Sequence, residues 1–307
     1  MKIYVIPDHT SANKTMLETC DIWRGQGHEV QVDMYYDIEK ANWCDVIFGE
    51  YIQGGVCHAV LDKNISKPIV MRGIDIDLYF GHYMGLDWDR CKSVLFINDY
   101  MKDYTCQRYF AGNHKPTKCN IDVVKLGINA DKWTFNDKSK SHGKTVGWLN
   151  NFWSGKGIDL LVQIIYKLCK LDNEYNFKVV GSCSEPWLEQ YFEEFIKRNG
   201  LKNNVERIDR VVDVNSWMDN IDFIMSTSMK ECQSLPMLEG MAKGIKPIIH
   251  HWWDAKQLYP ESLVFQSVDE AIEMILHDYD SNYYRNFVEQ NYDVKKQANL
   301  LLKYLQV

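Results

Sequence analysis

The sequence has no excess of positive charge, no paired-cysteine motif and no long apolar run, and each absence removes a class of function. A net charge of −7 over 307 residues gives no general pull toward nucleic acid or anionic lipid, which leaves room only for a local basic face. No stretch approaches the roughly 18 consecutive apolar residues of a membrane span. Met1–Pro7 is too short for a secretory h-region and reads instead as a first strand. Nine cysteines are scattered, at Cys20, Cys44, Cys57, Cys91, Cys106, Cys119, Cys169, Cys183 and Cys232, with no CxxC pair. That odd, unpatterned set suits reduced thiols in a cytoplasmic protein better than disulfides or a zinc site. There is no short-period repeat either.

What is present is a soluble globular composition, 46% hydrophobic and 25% charged, in a chain long enough for two domains. Short apolar strands alternate with amphipathic helices. Strands are expected at 2–6, 29–35, 45–48, 67–71, 93–97 and 121–126, with a helix from 12 to 25 and another capped by Asn98. This alternation predicts parallel sheets covered on both faces. The polar stretch 136–143 reads as an interdomain linker. The pattern then restarts, with strands at 144–149, 177–180, 205–208, 221–225, 246–249 and 263–265 and a final helical stretch from Tyr283. The expected domains are 1–138 and 139–285, with 286–307 as a C-terminal helix packing back on the first. Two successive doubly wound units would hold a ligand outside the carboxyl ends of their strands, in a cleft they face across.

The stretch from Ser226 to Ile249 is the richest in chemistry. It reads as a buried strand ending in polar residues, a short loop, a helix and a second strand. Ser234 suits an N-cap, Pro236 the first turn, and Gly244 the left-handed stop. Glu231 precedes the helix and Glu239 lies within it, so two carboxylates flank a helix N-terminus that is itself an anion site. A second helix start lies at Gly155-Lys156-Gly157. Backbone donors, helix ends and one lysine are what a nucleotide diphosphate requires.

Taken together, Val146-Gly147, Lys156-Gly157-Ile158-Asp159-Leu160-Leu161, Val179-Val180-Gly181 and the run from Glu231 through Glu239 to Gly244 resemble the retaining glycosyltransferases of family 4. That family has the GT-B fold and an E-x7-E motif. The resemblance is strong over about residues 140 to 270 and weaker in the first half. It implies an α/β GT-B protein of two Rossmann-like domains that transfers a sugar from a nucleotide sugar, UDP-type favoured, to a hydroxyl with retained configuration. It implies that Glu239 binds the donor ribose, Glu231 the transferred sugar and Lys156 the diphosphate. Gly157, Ser234, Leu235, Gly181 and Asn150 complete the expected donor site. No metal or cofactor is expected, and the donor is a co-substrate.

The departures from the family define the open questions. Its Gly-Arg-Leu arginine is replaced in the run Gly147-Trp148-Leu149, so the diphosphate must lean on Lys156, on amides, or on Arg72, Arg210 or Lys230. The loop after the first strand, residues 7–12, has no glycine. Arg72 and Asp75, read as loop residues after a buried strand, are candidates for donor binding and catalysis. Asp75-Ile-Asp77 and Asp87-Trp-Asp89 mimic a DxD metal signature, which a GT-B protein does not need. Burial of Trp252 and Trp253 is favoured over stacking on a ligand. The acceptor reads as a glycan or glycolipid, with no stable membrane insertion. The alternative acceptor is hydroxymethylcytosine in phage-type DNA, approached by a strip of Arg108, Lys115, Lys118, Lys125 and Lys132. Sugar-nucleotide epimerisation and non-catalytic binding are the readings from other classes.

Overall fold

A computed structural model describes residues 1–7, 13–74, 77 and 81–306. The chain divides into two units, Met1–Asn129 with Tyr292–Val307, and Ala130–Asn291. In the first, strands β1 (Lys2–Pro7), β2 (Glu29–Val32), β3 (Val46–Glu50), β4 (Ile69–Gly73), β5 (Ser93–Phe96) and β6 (Asn120–Val123) form one sheet. Its order is β2-β1-β3-β4-β5-β6, and every pairing is parallel. Strands β1, β3, β4 and β5 are buried almost throughout, so they read as unbroken apolar runs with no alternation.

Caps set where the helices begin. Asn98 Oδ1 accepts from Met101 N at 2.8 Å to start Asp99–Gly112, and Asp37 caps Ile38–Trp43 by accepting from Glu39 N at 2.8 Å. The last helix, Val294–Leu305, lies against Asn13–Gly25, with Trp23 Nε1 donating to Ala298 O at 3.0 Å. Met16, Cys20, Trp23, Leu301 and Leu305 are buried in the core they share with β1 and β3. The C-terminal helical stretch is therefore two helices, Ser281–Asn291 and Val294–Leu305, where a single one is expected from the sequence. At the break the chain pairs with Ile128, whose N–H donates to Tyr292 O at 2.7 Å and whose carbonyl accepts from Val294 N at 3.1 Å. Gly127 permits this approach, since a Cβ there would stand 2.8 Å from Val294 Cα.

In the second unit, β7 (Thr145–Leu149), β8 (Asn176–Val180), β9 (Val205–Ile208), β10 (Phe223–Ser226), β11 (Lys246–His250) and β12 (Val264–Phe265) pair in parallel in the order β12-β11-β10-β7-β8-β9. Its core holds Trp148, Phe152, Leu161, Ile165, Phe177 and Met225. The stretch 136–143 belongs to this unit and is packed on it rather than standing free as a linker. Lys138 Nζ donates to Ile221 O at 2.7 Å and pairs with Asp222 at 3.1 Å, and a Cβ on Gly143 would meet Asp222 Oδ2 at 2.5 Å. All nine cysteines are free thiols. Burial pushes Cys20 up to about 12 and Cys44 up to about 11, which keeps both unreactive.

Candidate functional site

Strand order in the second unit reverses between β7 and β10, and the chain leaves those two strands at Leu149 and Ser226. Open α/β sheets bind ligands outside the carboxyl ends of strands at such a switch point. Two loops meet there, 150–157 and 227–234.

The loops are locked together by their own backbones. Met229 N donates to Gly155 O at 3.1 Å, and Thr227 Oγ1 donates to Lys156 O at 2.8 Å. Trp148, fully buried in β7, donates its Nε1 to the same Thr227 hydroxyl at 2.9 Å. The turn Ser154–Lys156 ends at Gly157, which is left-handed at φ 65° and opens helix Ile158–Leu171. A Cβ at Gly157 would stand 2.1 Å from Thr227 O, so glycine is required for both its conformation and its closeness.

Lys156 and Glu231 form an ion pair across these loops, with side chains 15% and 10% exposed. Ser228 Oγ donates to Glu231 Oε1 at 3.0 Å, and Ser226 Oγ lies 3.3 Å from Ser228 Oγ. His250 Nδ1 is 2.9 Å from Ser228 O. The carboxylate is thus aimed by a buried hydroxyl and balanced by one ammonium, and an entering anion would compete with it for that ammonium. Asn150 and Gly181 meet at the ends of β7 and β8: Asn150 N donates to Val180 O at 3.0 Å, and a Cβ on Gly181 would fall 1.5 Å from Asn150 O. Asn150 Nδ2 is buried without a hydrogen-bond partner.

Helix Leu235–Ala242 follows, with Pro236 in its first turn. Ser234 occupies the N-cap position, but its hydroxyl does not cap the helix and is buried without a partner. The Tyr259 hydroxyl instead accepts from Ser234 N and donates to Ser234 O, both at 3.1 Å. Glu239 is half-buried one turn beyond Leu235. Gly240 behind it packs on Ile224 of β10, where a Cβ would come within 2.6 Å.

Lys156, Gly157 and Glu231 are therefore in direct mutual reach, Asn150 and Gly181 form a second contact, and Ser234, Leu235 and Glu239 sit together at a helix start. Arg72 belongs to the first unit. It lies within β4 rather than in a loop, and its Nε and Nη2 reach both carboxylate oxygens of Glu50 at 2.8–3.1 Å. Both side chains are 1% exposed, so this guanidinium is committed to Glu50. Asp75 lies outside the described residues. Asp77 Oδ2 clamps Ile52 N and Ile74 N at 2.9 Å, and Asp89 Oδ1 accepts from Thr117 N and Lys118 N at 2.8 Å. Both DxD-like pairs thus contain aspartates spent on loop backbone. Among the described residues no group of three or more His, Cys, Asp or Glu is placed to hold a metal.

Trp252 is buried as expected, whereas Trp253 is 41% exposed. Of the expected basic strip, Lys132 belongs to the second unit, and Lys125 in the first is half-buried over the Tyr292 ring. The residues that sequence reasoning missed are Trp148, Thr227, Ser228 and Tyr259. The only signal for them was the polar ending of a buried strand at 226–228.

Residues 143–260 match the sequence model of the family described as Glycosyl transferases group 1. An uncharacterized glycosyltransferase of Haemophilus influenzae is 29% identical over 114 residues, covering 37% of this chain and 31% of that protein. The chain thus spans about a third of that relative's length. Among solved structures, Anabaena Alr3699/HepE in complex with UDP aligns with a TM-score of 0.79 at 14% identity, covering 99% of each chain. A glycosyltransferase from Rickettsia africae aligns at 0.75 with 15% identity over 99% of this chain and 97% of that one. Sucrose-phosphate synthase from Thermosynechococcus elongatus aligns at 0.74 with 13% identity, covering 99% and 98%. The fold is GT-B. The stretch that matches the group 1 model lies within the second unit of this GT-B chain, and the loops described above lie inside that stretch.

Proposed function

We propose that this GT-B chain is a retaining glycosyltransferase that moves a sugar from a UDP-type donor to a hydroxyl of a glycan or glycolipid. The observation that carries the reading is the Lys156–Glu231 pair at the β7/β10 switch point, with Glu239 on the helix that follows. In this reading the Lys156 ammonium and the amides of the Gly157 helix start receive the diphosphate, the group on which most charge develops in the transition state. Glu231, released from Lys156 and still held by Ser228, accepts hydrogen bonds from hydroxyls of the transferred sugar, while Glu239 accepts from the ribose. Gly181, Asn150, Ser234 and Leu235 line the same strand ends and helix start. The bond from the anomeric carbon to the phosphate oxygen breaks, and a bond to the acceptor oxygen forms on the same face. The acceptor proton passes to the departing diphosphate, so no protein base is required.

The Anabaena neighbour was solved with UDP and, in a second structure, with UDP and glucose, which favours a UDP-sugar as the first donor to test. Nine free thiols accord with work in a reducing cytoplasm. The net charge of −7 favours a glycan over DNA. The deciding experiment incubates the protein with a panel of UDP-sugars, alone and with glycan acceptors or hydroxymethylcytosine DNA, and follows UDP release and the anomeric configuration of the product by NMR. Acceptor-stimulated UDP release with an α-linked product from an α-donor is the expected result. Release that no donor supports would overturn the reading, and transfer to DNA alone would replace its acceptor.

A further inference from the structure

We infer that Tyr259 is a positioning residue of the donor site. Its hydroxyl holds the Ser234 backbone and so reserves the Ser234 hydroxyl, at the start of helix Leu235–Ala242, for a phosphate of the donor. The inference rests on the donor reading above and adds a residue to it.

Ser234 has the backbone of a helix cap without the bond. It stands at the N-cap position in an extended conformation, φ −80° and ψ 104°, as capping residues do. Its hydroxyl nevertheless caps nothing and is buried without a partner, in a residue 3% exposed. An N-cap oxygen ordinarily accepts from the second or third helical amide. Pro236 is the second helical residue and has no N–H, which leaves Met237 N as the one such donor. Nor can the helix close a capping box, because its third position holds the buried Met237 where a Glu or Gln would reach back to Ser234 N. A buried hydroxyl without a bond beside an uncapped helix start destabilises the fold, and an anion at that start would satisfy both.

Tyr259 does from 25 residues away what a capping box would do locally. Its hydroxyl accepts from Ser234 N and donates to Ser234 O, both at 3.1 Å, so one atom fixes both polar groups of that backbone. The helical bond to the same carbonyl is long, 3.4 Å from Leu238 N. The tyrosine is itself held in place. It is 2% exposed, Trp252 meets its ring edge-on at 6.4 Å, and its backbone N–H donates to Ala255 O at 2.8 Å at the end of helix Ala255–Leu258. With its backbone anchored from this side, the helix start does not need the Ser234 side chain. That hydroxyl, three residues after Glu231, can then donate to a phosphate oxygen.

The test measures binding of UDP and of uridine by calorimetry, together with thermal unfolding, for the full-length wild type, Tyr259→Phe, Ser234→Ala and the double variant. Tyr259→Phe removes one oxygen and keeps the ring. It should weaken UDP by about tenfold, the scale of one charge-assisted contact, and leave uridine within about twofold, since only UDP carries the diphosphate. Ser234→Ala should weaken UDP by a similar factor without lowering the melting temperature, because its hydroxyl caps nothing. In the Tyr259→Phe background the released hydroxyl should turn to Met237 N. There Ser234→Ala should lower the melting temperature by roughly 2–4 °C and weaken UDP little further. A purely structural tyrosine would lower stability, treat the two ligands alike and show no such coupling. UDP affinity intact in Tyr259→Phe, equal loss of UDP and uridine, or the same Ser234→Ala shift in both backgrounds would each overturn the inference while the donor reading stands. Should Tyr259→Phe not fold, Ser234→Ala decides alone: weaker UDP at an unchanged melting temperature supports the inference, and unchanged UDP affinity overturns it. If the folded wild type binds no nucleoside diphosphate among UDP, ADP and GDP, the donor reading falls and the inference with it.

Discussion

The two units place an ion pair near the carboxyl ends of their parallel strands, and the two pairs are built for opposite purposes. In the first, Arg72 and Glu50 are adjacent in register on β4 and β3, bidentate, and 1% exposed each. In the second, Lys156 and Glu231 sit on loops, joined through one carboxylate oxygen and 15% and 10% exposed. A planar guanidinium sealed against a carboxylate has no second geometry to adopt. A lysine on a flexible stem can leave one oxygen for another. The same charge pairing is thus a structural rivet in one sheet and an exchangeable contact in the other.

That contrast is most sharply broken at Arg72. Arg72→Met leaves the Glu50 carboxylate buried without its partner, and should cost about 3–5 kcal/mol of first-unit stability. Urea denaturation combined with hydrogen exchange of β3 and β4 amides reads this. A loss under about 1 kcal/mol would mean that the carboxylate finds water or a proton, and that the pair is no rivet. Lys156→Met should cost less, about 1–2 kcal/mol, because Glu231 keeps the Ser228 hydroxyl and a path to solvent. Its larger effect should fall on turnover, of order 10²–10³ in kcat, the scale of removing one donor from a developing anion. Stability lost with kcat preserved would reverse the assignment and make Lys156–Glu231 the second rivet.

Much of this site was legible before the structure, because its chemistry is local. Glu231, Ser234, Pro236, Glu239 and Gly244 lie on one continuous strand–loop–helix unit whose spacing carries its own meaning. The residues that aim it were not legible. Trp148 and Thr227 are 79 positions apart, and only the β7–β10 pairing brings them to a hydrogen bond. Arg72 misled for a related reason. A charge at the end of an apolar run reads as the start of a loop, and its neutralising partner is 22 residues away on another strand. The break at Tyr292–Asp293 was equally hidden, since apolar spacing continues through it and its cause is a bridge to Ile128. Helix Gly54–Leu61, which the sequence reading did not place, opens on two glycines, the weakest helix formers after proline.

The smallest effect expected is also the one that separates donor recognition from architecture. Glu239 is half-buried on the helix whose next residue, Gly240, is pressed against Ile224. Truncating its carboxylate leaves that contact untouched. Glu239→Ala should cost no more than about 1 kcal/mol of stability, the net scale of one side-chain interaction lost from a half-buried carboxylate. If the carboxylate holds ribose hydroxyls, affinity for UDP should fall by about tenfold, since one lost charge-assisted hydrogen bond is worth about that much. The comparison of UDP with 2′,3′-dideoxy-UDP in both proteins isolates the contact: the deoxy analogue should bind wild type weakly and be indifferent to the substitution. Equal loss for both ligands would place Glu239 among residues that shape the helix start, and would leave Glu231 as the only carboxylate of the pair that meets the donor.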